Sequence, residues 1–151
     1  MGILVEIHGV SMTHYPFTVS FPVHWGDMDA FGHVNHTRYL VWMETARIKL
    51  FDEIGLDWRD GSTPGPILAN LNVDYLEPVH FPARLKCGLC ISRVGNTSFV
   101  IDYGIWFEDE PERLVCRCQS VIVVYNYATQ SKTPIWDDLR LGLGRFEPTP
   151  Q

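Results

Sequence analysis

Three things are scarce in this sequence, and each scarcity removes a class of protein. Long hydrophobic runs are missing. The apolar stretches end after a few residues, well short of the roughly 20 that a membrane-crossing helix needs. Positive charge is also short: Lys and Arg number 12 against 18 Asp and Glu, for a net charge of -6. A chain of that balance is a poor general binder of nucleic acid or of an anionic membrane surface. Targeting signals are the third absence. Met1-Gly2-Ile3-Leu4-Val5-Glu6 has neither a basic region nor a long apolar core, so no secretory signal is expected. Glu6, where Ser or Thr would be required, excludes a myristoylation motif. The expected location is cytoplasmic. Neither an internal repeat nor a low-complexity linker interrupts the chain, and 151 residues suit a single domain, taken as 1–151.

Cysteine is sparse too. Cys87, Cys90, Cys116 and Cys118 fall in segments that read as strands, without the glycine-rich knuckles of zinc ribbons. Without a secretory signal these thiols are expected reduced and buried rather than bridged. Cys87 and Cys90 are three apart, which on an extended strand turns them to opposite faces. A metal site built from His24, Asp27, Asp29, His33 and His36 matches no zinc spacing, and none is expected.

What the chain does have is an ordinary globular share of apolar residues, 46%, arranged in two periodicities. Val19, Phe21 and Val23 alternate in 17–25, a short strand. A loop rich in Gly and Asp follows (26–35), and 36–54 reads as one long helix with Asn35 as N-cap and Gly55 as stop. Its apolar residues cover most of its circumference, leaving Arg38, Thr45, Lys49 and Asp52 as a narrow polar stripe. Such a helix is expected to be wrapped. Alternating patterns in 67–77, 84–94 and 97–108, and a Val/Ile/Cys-rich run in 114–126, supply the wrapper as four more strands. Gly95-Asn96 and the 108–112 stretch are turns, and the tail from Thr133 is irregular or a short helix. The order strand, long helix, four strands implies an α+β fold: a curved antiparallel sheet around one long central helix.

Polar chemistry crowds the loop before the helix: His24, Asp27, Asp29, His33, Asn35 and His36. Amides at a helix start point outward unpaired, at the positive end of the dipole. They can receive a developing oxyanion, and a nearby carboxylate can act as base or nucleophile. The plainer alternative is that both aspartates are turn formers. Elsewhere, Glu44 and Arg47 are expected to pair on the helix surface. Trp25, Trp42, Tyr75 and Phe99 are expected in the core or lining an acyl pocket. The 78–101 segment has Arg84, Lys86 and Arg93 but no acidic residue, which suits a polyanionic ligand or a guarded strand edge equally well.

The stretch Val23-His24-Trp25-Gly26-Asp27-Met28-Asp29-Ala30-Phe31-Gly32-His33-Val34-Asn35-His36, with Tyr39-Leu40 and Glu44-Thr45-Ala46-Arg47 after it, resembles the hotdog-fold acyl-CoA thioesterases of the 4-hydroxybenzoyl-CoA thioesterase-like branch. The likeness runs from about Phe17 to Pro134 and takes in Asp74-Tyr75-Leu76-Glu77-Pro78, the Gly95-Asn96-Thr97-Ser98 turn and Thr129-Gln130-Ser131-Lys132-Thr133-Pro134. The resemblance implies that Asp29 is the catalytic carboxylate and that the backbone N–H of His36 polarises the thioester carbonyl. It implies a site shared between two subunits, with no metal and no cofactor, coenzyme A entering only as part of the substrate. His33, Asn35, Arg93, Thr97 and Ser98 are the candidate substrate-binding residues. Where many relatives have Gly-Asp, this chain has Phe81-Pro82-Ala83-Arg84. Two rival readings stay open: a hotdog hydratase or dehydratase of 3-hydroxyacyl thioesters, for which His33 would serve, and a non-catalytic acyl-CoA-binding domain. A homodimer or dimer of dimers is expected, because the sheet face turned from the helix also carries Leu68, Leu76, Val100, Trp106, Val121 and Val123.

Overall fold

The computed structural model describes residues 15–57, 59, 61 and 64–148. The sequence N-terminal of Tyr15, including the Met1–Glu6 stretch read above, lies outside the described residues. Eight elements follow in order: β1 (Phe17–Pro22), α1 (His36–Ile54), β2 (Gly65–Tyr75), β3 (Arg84–Val94), β4 (Ser98–Phe107), β5 (Glu110–Asn126), β6 (Ser131–Lys132) and α2 (Asp137–Gly144). A short 3-10 turn, Trp25–Asp27, separates β1 from the loop. The strands form one antiparallel sheet in the order β1-β3-β4-β5-β2, with β6 added to the end of β5.

Helix α1 begins and ends at the residues the sequence indicates, for identifiable reasons. The Asn35 side chain accepts the Thr37 amide at 3.0 Å, satisfying one of the free N–H groups of the first turn. Gly55 adopts φ +76°, which a side chain would disfavour, and stops the helix. Tyr39, Trp42, Met43, Ala46, Leu50, Phe51 and Ile54 face the sheet and meet Leu85, Leu89, Phe99, Ile101, Ile105 and Ile122.

Several expectations are corrected. The sheet curves around α1 as expected, but the exposed stripe of the helix is wider than expected: Val41 is 49% exposed, and Thr37, Glu44, Thr45 and Lys49 are exposed with it. A single sheet layer reaches only one face of a cylinder. β5 starts at Glu110, so the turn there is shorter than the acidic run suggests. The tail takes the short-helix alternative as α2, whose Leu139 and Leu143 are buried. Of the four aromatics read as core or lining, Trp42 and Phe99 are buried, while Trp25 is 72% exposed and Tyr75 is exposed as well. On the outer sheet face Val100 is buried and only Leu68 of the expected set is exposed. The four cysteines are buried and free. Cys87 and Cys90 do face opposite ways, opposite Ile105 and Asp102.

Glu44 and Arg47 pair at 3.9 Å, but Arg47 is buried rather than on the surface. Its guanidinium reaches under the helix and donates to the Tyr103 hydroxyl at 3.3 Å, which in turn shares a 2.9 Å hydrogen bond with Ser120.

Candidate active site

The loop between β1 and α1 folds back on itself and is zipped shut by the backbone. Met28 and Val34 form an antiparallel bridge, Asp29 N–H donates to the His33 carbonyl at 2.9 Å, and Asn35 N–H donates to the Asp27 carbonyl at 2.9 Å. Gly32 closes the tip with φ +79°, its N–H donating to the Asp29 carbonyl at 3.1 Å. This sets Asp29 opposite His33 near the tip of the loop, and Asp27 opposite Asn35 at the start of α1.

The two aspartates are placed differently. Asp27 is buried; its carboxylate accepts the His24 amide at 2.7 Å and lies 3.5 Å from Arg38 Nε. Asp27 therefore stabilises the turn and the helix start. Asp29 is half-buried, and its Oδ1 accepts the Phe31 amide at 2.9 Å. No ion pair engages Asp29 among the described residues. One of its oxygens holds the turn and the other keeps its capacity to accept a proton.

His36 is the first residue of α1, and its N–H makes no hydrogen bond to a described residue. It sits at the positive end of a 19-residue helix, where a donor can meet a negative oxygen. Asn35 spends its side-chain oxygen on Thr37, at 3.0 Å to the amide and 2.7 Å to the hydroxyl, so only its side-chain NH₂ remains to donate. His33 is exposed, and its ring packs edge-on against His80 with centroids 4.9 Å apart.

Within one chain, the remaining candidates do not join this group. The loop enters beside the start of β3, where Val23 N–H donates to the Ala83 carbonyl at 2.8 Å. Arg93 is at the other end of β3, roughly 30 Å along the strand at about 3.3 Å per residue. Thr97 and Ser98 lie beyond it at the β3–β4 turn, half-buried, with their carbonyls taken by Val124 and Gly95 amides.

Contacts that the motif reading did not anticipate surround the loop. Tyr75 Oη donates to the His36 carbonyl at 3.2 Å. His80 Nδ1 lies 2.8 Å from the Gly32 carbonyl. The Phe81 amide approaches Met28 Sδ at 3.5 Å, and Trp25 packs edge-on against Phe81. Only the cluster Asp74-Tyr75-Leu76-Glu77-Pro78 hinted at these contacts, because a strand end carries no sign of which loop it will touch. Among the described residues no group of His, Cys, Asp and Glu is arranged to hold a metal ion. None of their helices is long and apolar enough to cross a membrane.

The comparison with known proteins decides the family. The thioesterase-like superfamily model matches residues 23–143. The chain belongs to the thioesterase-like superfamily. The solved PA2801 protein of Pseudomonas aeruginosa is 31% identical, with TM-score 0.78, over 85% of this chain and 98% of that one. A Thermus thermophilus thioesterase solved with coenzyme A and Zn is 25% identical, with TM-score 0.77, over 91% of this chain and 98% of that one. The 1,4-dihydroxy-2-naphthoyl-CoA hydrolase of Crocosphaera subtropica is 22% identical over 121 residues, 78% of this chain and 88% of that protein. The fold of this thioesterase-superfamily chain is the hotdog fold, and its enzyme class is thioester hydrolase.

Proposed function

We propose that the protein hydrolyses an acyl-CoA thioester to a carboxylic acid and coenzyme A, with Asp29 as base or nucleophile and the His36 N–H as donor to the carbonyl oxygen. The observation that supports this is the loop that leads into α1: it holds a carboxylate with a spare oxygen in a turn closed by backbone bonds, and it ends at a first helix amide that no described residue engages. As the thioester carbon turns tetrahedral, negative charge gathers on its oxygen. A fixed N–H at a helix start opposes that charge without reorganising. Asp29 either takes a proton from water or adds directly to the carbonyl carbon. The thiolate leaves and is protonated; on the direct route water then hydrolyses the anhydride left on Asp29, which releases the acid and restores the carboxylate. The relatives' printed substrates support coenzyme A as the carrier.

The active form in this reading is a homodimer or a dimer of dimers. Strand β2 closes one end of the sheet, and its outer edge pairs with no strand among the described residues. Its Leu68 and Tyr75 are exposed. An 11-residue edge of this kind is a ready template for pairing. Two β2 edges joined antiparallel about a two-fold axis set the Gly65 end of one beside the Tyr75 end of the other. That brings the partner's far sheet end, where Thr97, Ser98 and Arg93 lie, towards this chain's helix start. It reunites candidates that one chain keeps apart.

The test is a panel of acyl-CoA and acyl-carrier thioesters followed by thiol release, with a parallel assay of 3-hydroxyacyl dehydration. Turnover of at least one CoA thioester is expected; thioester binding without any release would remove the reading. Sedimentation should show a dimer or larger, and a stable active monomer at micromolar concentration would overturn the assembly.

A further inference from the structure

The β2–β3 connection touches the Asp29 loop at three successive residues. The Val79 carbonyl accepts Val34 N–H at 2.8 Å, His80 Nδ1 meets the Gly32 carbonyl at 2.8 Å, and the Phe81 amide meets Met28 Sδ at 3.5 Å. Val79 is fully buried and anchors the connection, while His80 is exposed and contributes nothing to the core. A carbonyl oxygen can only accept, so His80 Nδ1 carries the proton and donates it to Gly32. Gly32 sits in the left-handed region and ends the turn that Asp29 begins. The same turn is held from inside by Gly32 N–H on the Asp29 carbonyl and by Phe31 N–H on Asp29 Oδ1. Its outer carbonyl is fixed by His80 alone among the described side chains.

We propose that His80 is a positioning residue: its Nδ1–H fixes the Gly32 carbonyl and so holds the Asp29 carboxylate in its working orientation. The inference rests on the reading that Asp29 drives thioester hydrolysis. A turn closed by a glycine is soft, and small misplacement of a reacting group is costly in rate. His80 does not touch the substrate in this account. Its contribution belongs to the catalytic step rather than to binding.

The test uses the full-length protein and three substitutions. His80→Ala removes the donor. His80→Asn keeps one, because the Asn amide nitrogen occupies the position of Nδ1. His80→Gln carries its amide nitrogen out to the position of Nε2 and cannot reach Gly32. Loss of one hydrogen bond corresponds to roughly a five- to tenfold change in rate. His80→Ala and His80→Gln are expected to lose about that much kcat with KM unchanged, and His80→Asn to stay near the parent. Added to Asp29→Asn, His80→Ala should cost nothing further, because both act through one carboxylate. Normal kcat in His80→Ala would overturn the proposal, as would a loss confined to KM. Failure of His80→Asn to rescue, or a full additional loss in the Asp29→Asn background, would overturn it too. Normal turnover in Asp29→Asn is a different result: it removes the catalytic reading of Asp29 itself, whatever His80 does.

Discussion

Two polar places along helix α1 are built in opposite ways. At its start, Asp29 uses one oxygen within its own turn, the His36 amide faces outward, and His33 and His36 are exposed. Three turns further on, Arg47 is buried against Tyr103 and Ser120, each polar atom engaged by the next. Among the described residues no buried side-chain nitrogen or oxygen lacks a partner. A buried polar group left unpaired is expensive, so the core spends all its hydrogen-bonding capacity on itself. The loop keeps capacity in reserve at the surface. The contrast is between polarity that holds the fold together and polarity left for a substrate.

The sharpest way to break that contrast is Asp29→Asn. The Asn oxygen still accepts the Phe31 amide, so the fold and its melting temperature should hold. Neither base nor nucleophile remains, and kcat should fall roughly 10²–10⁴-fold, the usual scale for a general base. A larger loss would point to direct attack. Near-normal kcat would place the chemistry elsewhere.

Tyr103→Phe tests the other half. Without the hydroxyl, Arg47 loses its acceptor and Ser120 its partner inside the core. The expected cost is about 1–3 kcal/mol of stability, read as a lower urea midpoint, with kcat little changed. A collapse of kcat at unchanged stability would make this network part of the chemistry.

The same contrast explains what could be read in the sequence. The bounds of α1 were legible because Asn35 and Gly55 act locally, through a cap and a left-handed residue. The β3–β4 hairpin was legible because alternation repeats every second residue. The loop motif pointed to Asp29 and His36, and both fall on the one loop-and-helix start that the backbone bonds close. Arg47 misled, because the same i, i+3 spacing serves a surface pair and a buried guanidinium; only the position of Tyr103 across the core distinguishes them. His80 was invisible as a site neighbour, and Tyr75 was read only as core or pocket lining, since their contacts with the loop span 48 and 39 residues of sequence. Arg93, Thr97 and Ser98 were legible as chemistry but not as place.

Alkaline pH presses on the buried region. Burial raises Tyr103 from 10.0 to about 12, Cys90 from 9.0 to about 11, and Cys116 and Cys118 from 9.0 to about 12. In each case the folded chain holds the proton more tightly than the unfolded one. Stability is therefore complete below the unfolded values near 9 and 10 and declines as pH rises towards the folded ones. The melting temperature should drop between about pH 9 and pH 12. For the same reason the four thiols should resist alkylation at about pH 8 until the protein unfolds. Ready labelling of the native protein would contradict their burial.

The smallest effect is expected from Asp27→Asn, the substitution that most resembles Asp29→Asn on paper. The two aspartates are two residues apart in one motif, and each accepts a backbone amide of its own loop. They differ in surroundings. Asp27 is buried, and its charge is matched by Arg38, whose side chain is 46% exposed. An Asn oxygen can still accept the His24 amide, so the turn keeps its bond. What is lost is a partly solvated ion pair, worth about 0–1 kcal/mol. The melting temperature should slip slightly, and kcat should stay within a few-fold of the parent, roughly the rate equivalent of that energy. The informative measurement is the ratio of kcat in the two variants on the same substrate. A ratio of at least tenfold in favour of Asp27→Asn assigns the reacting carboxylate to the half-buried position with the spare oxygen. Equal collapse of both would mean that the two carboxylates act as one unit, and the division between a structural and a reacting aspartate would fall.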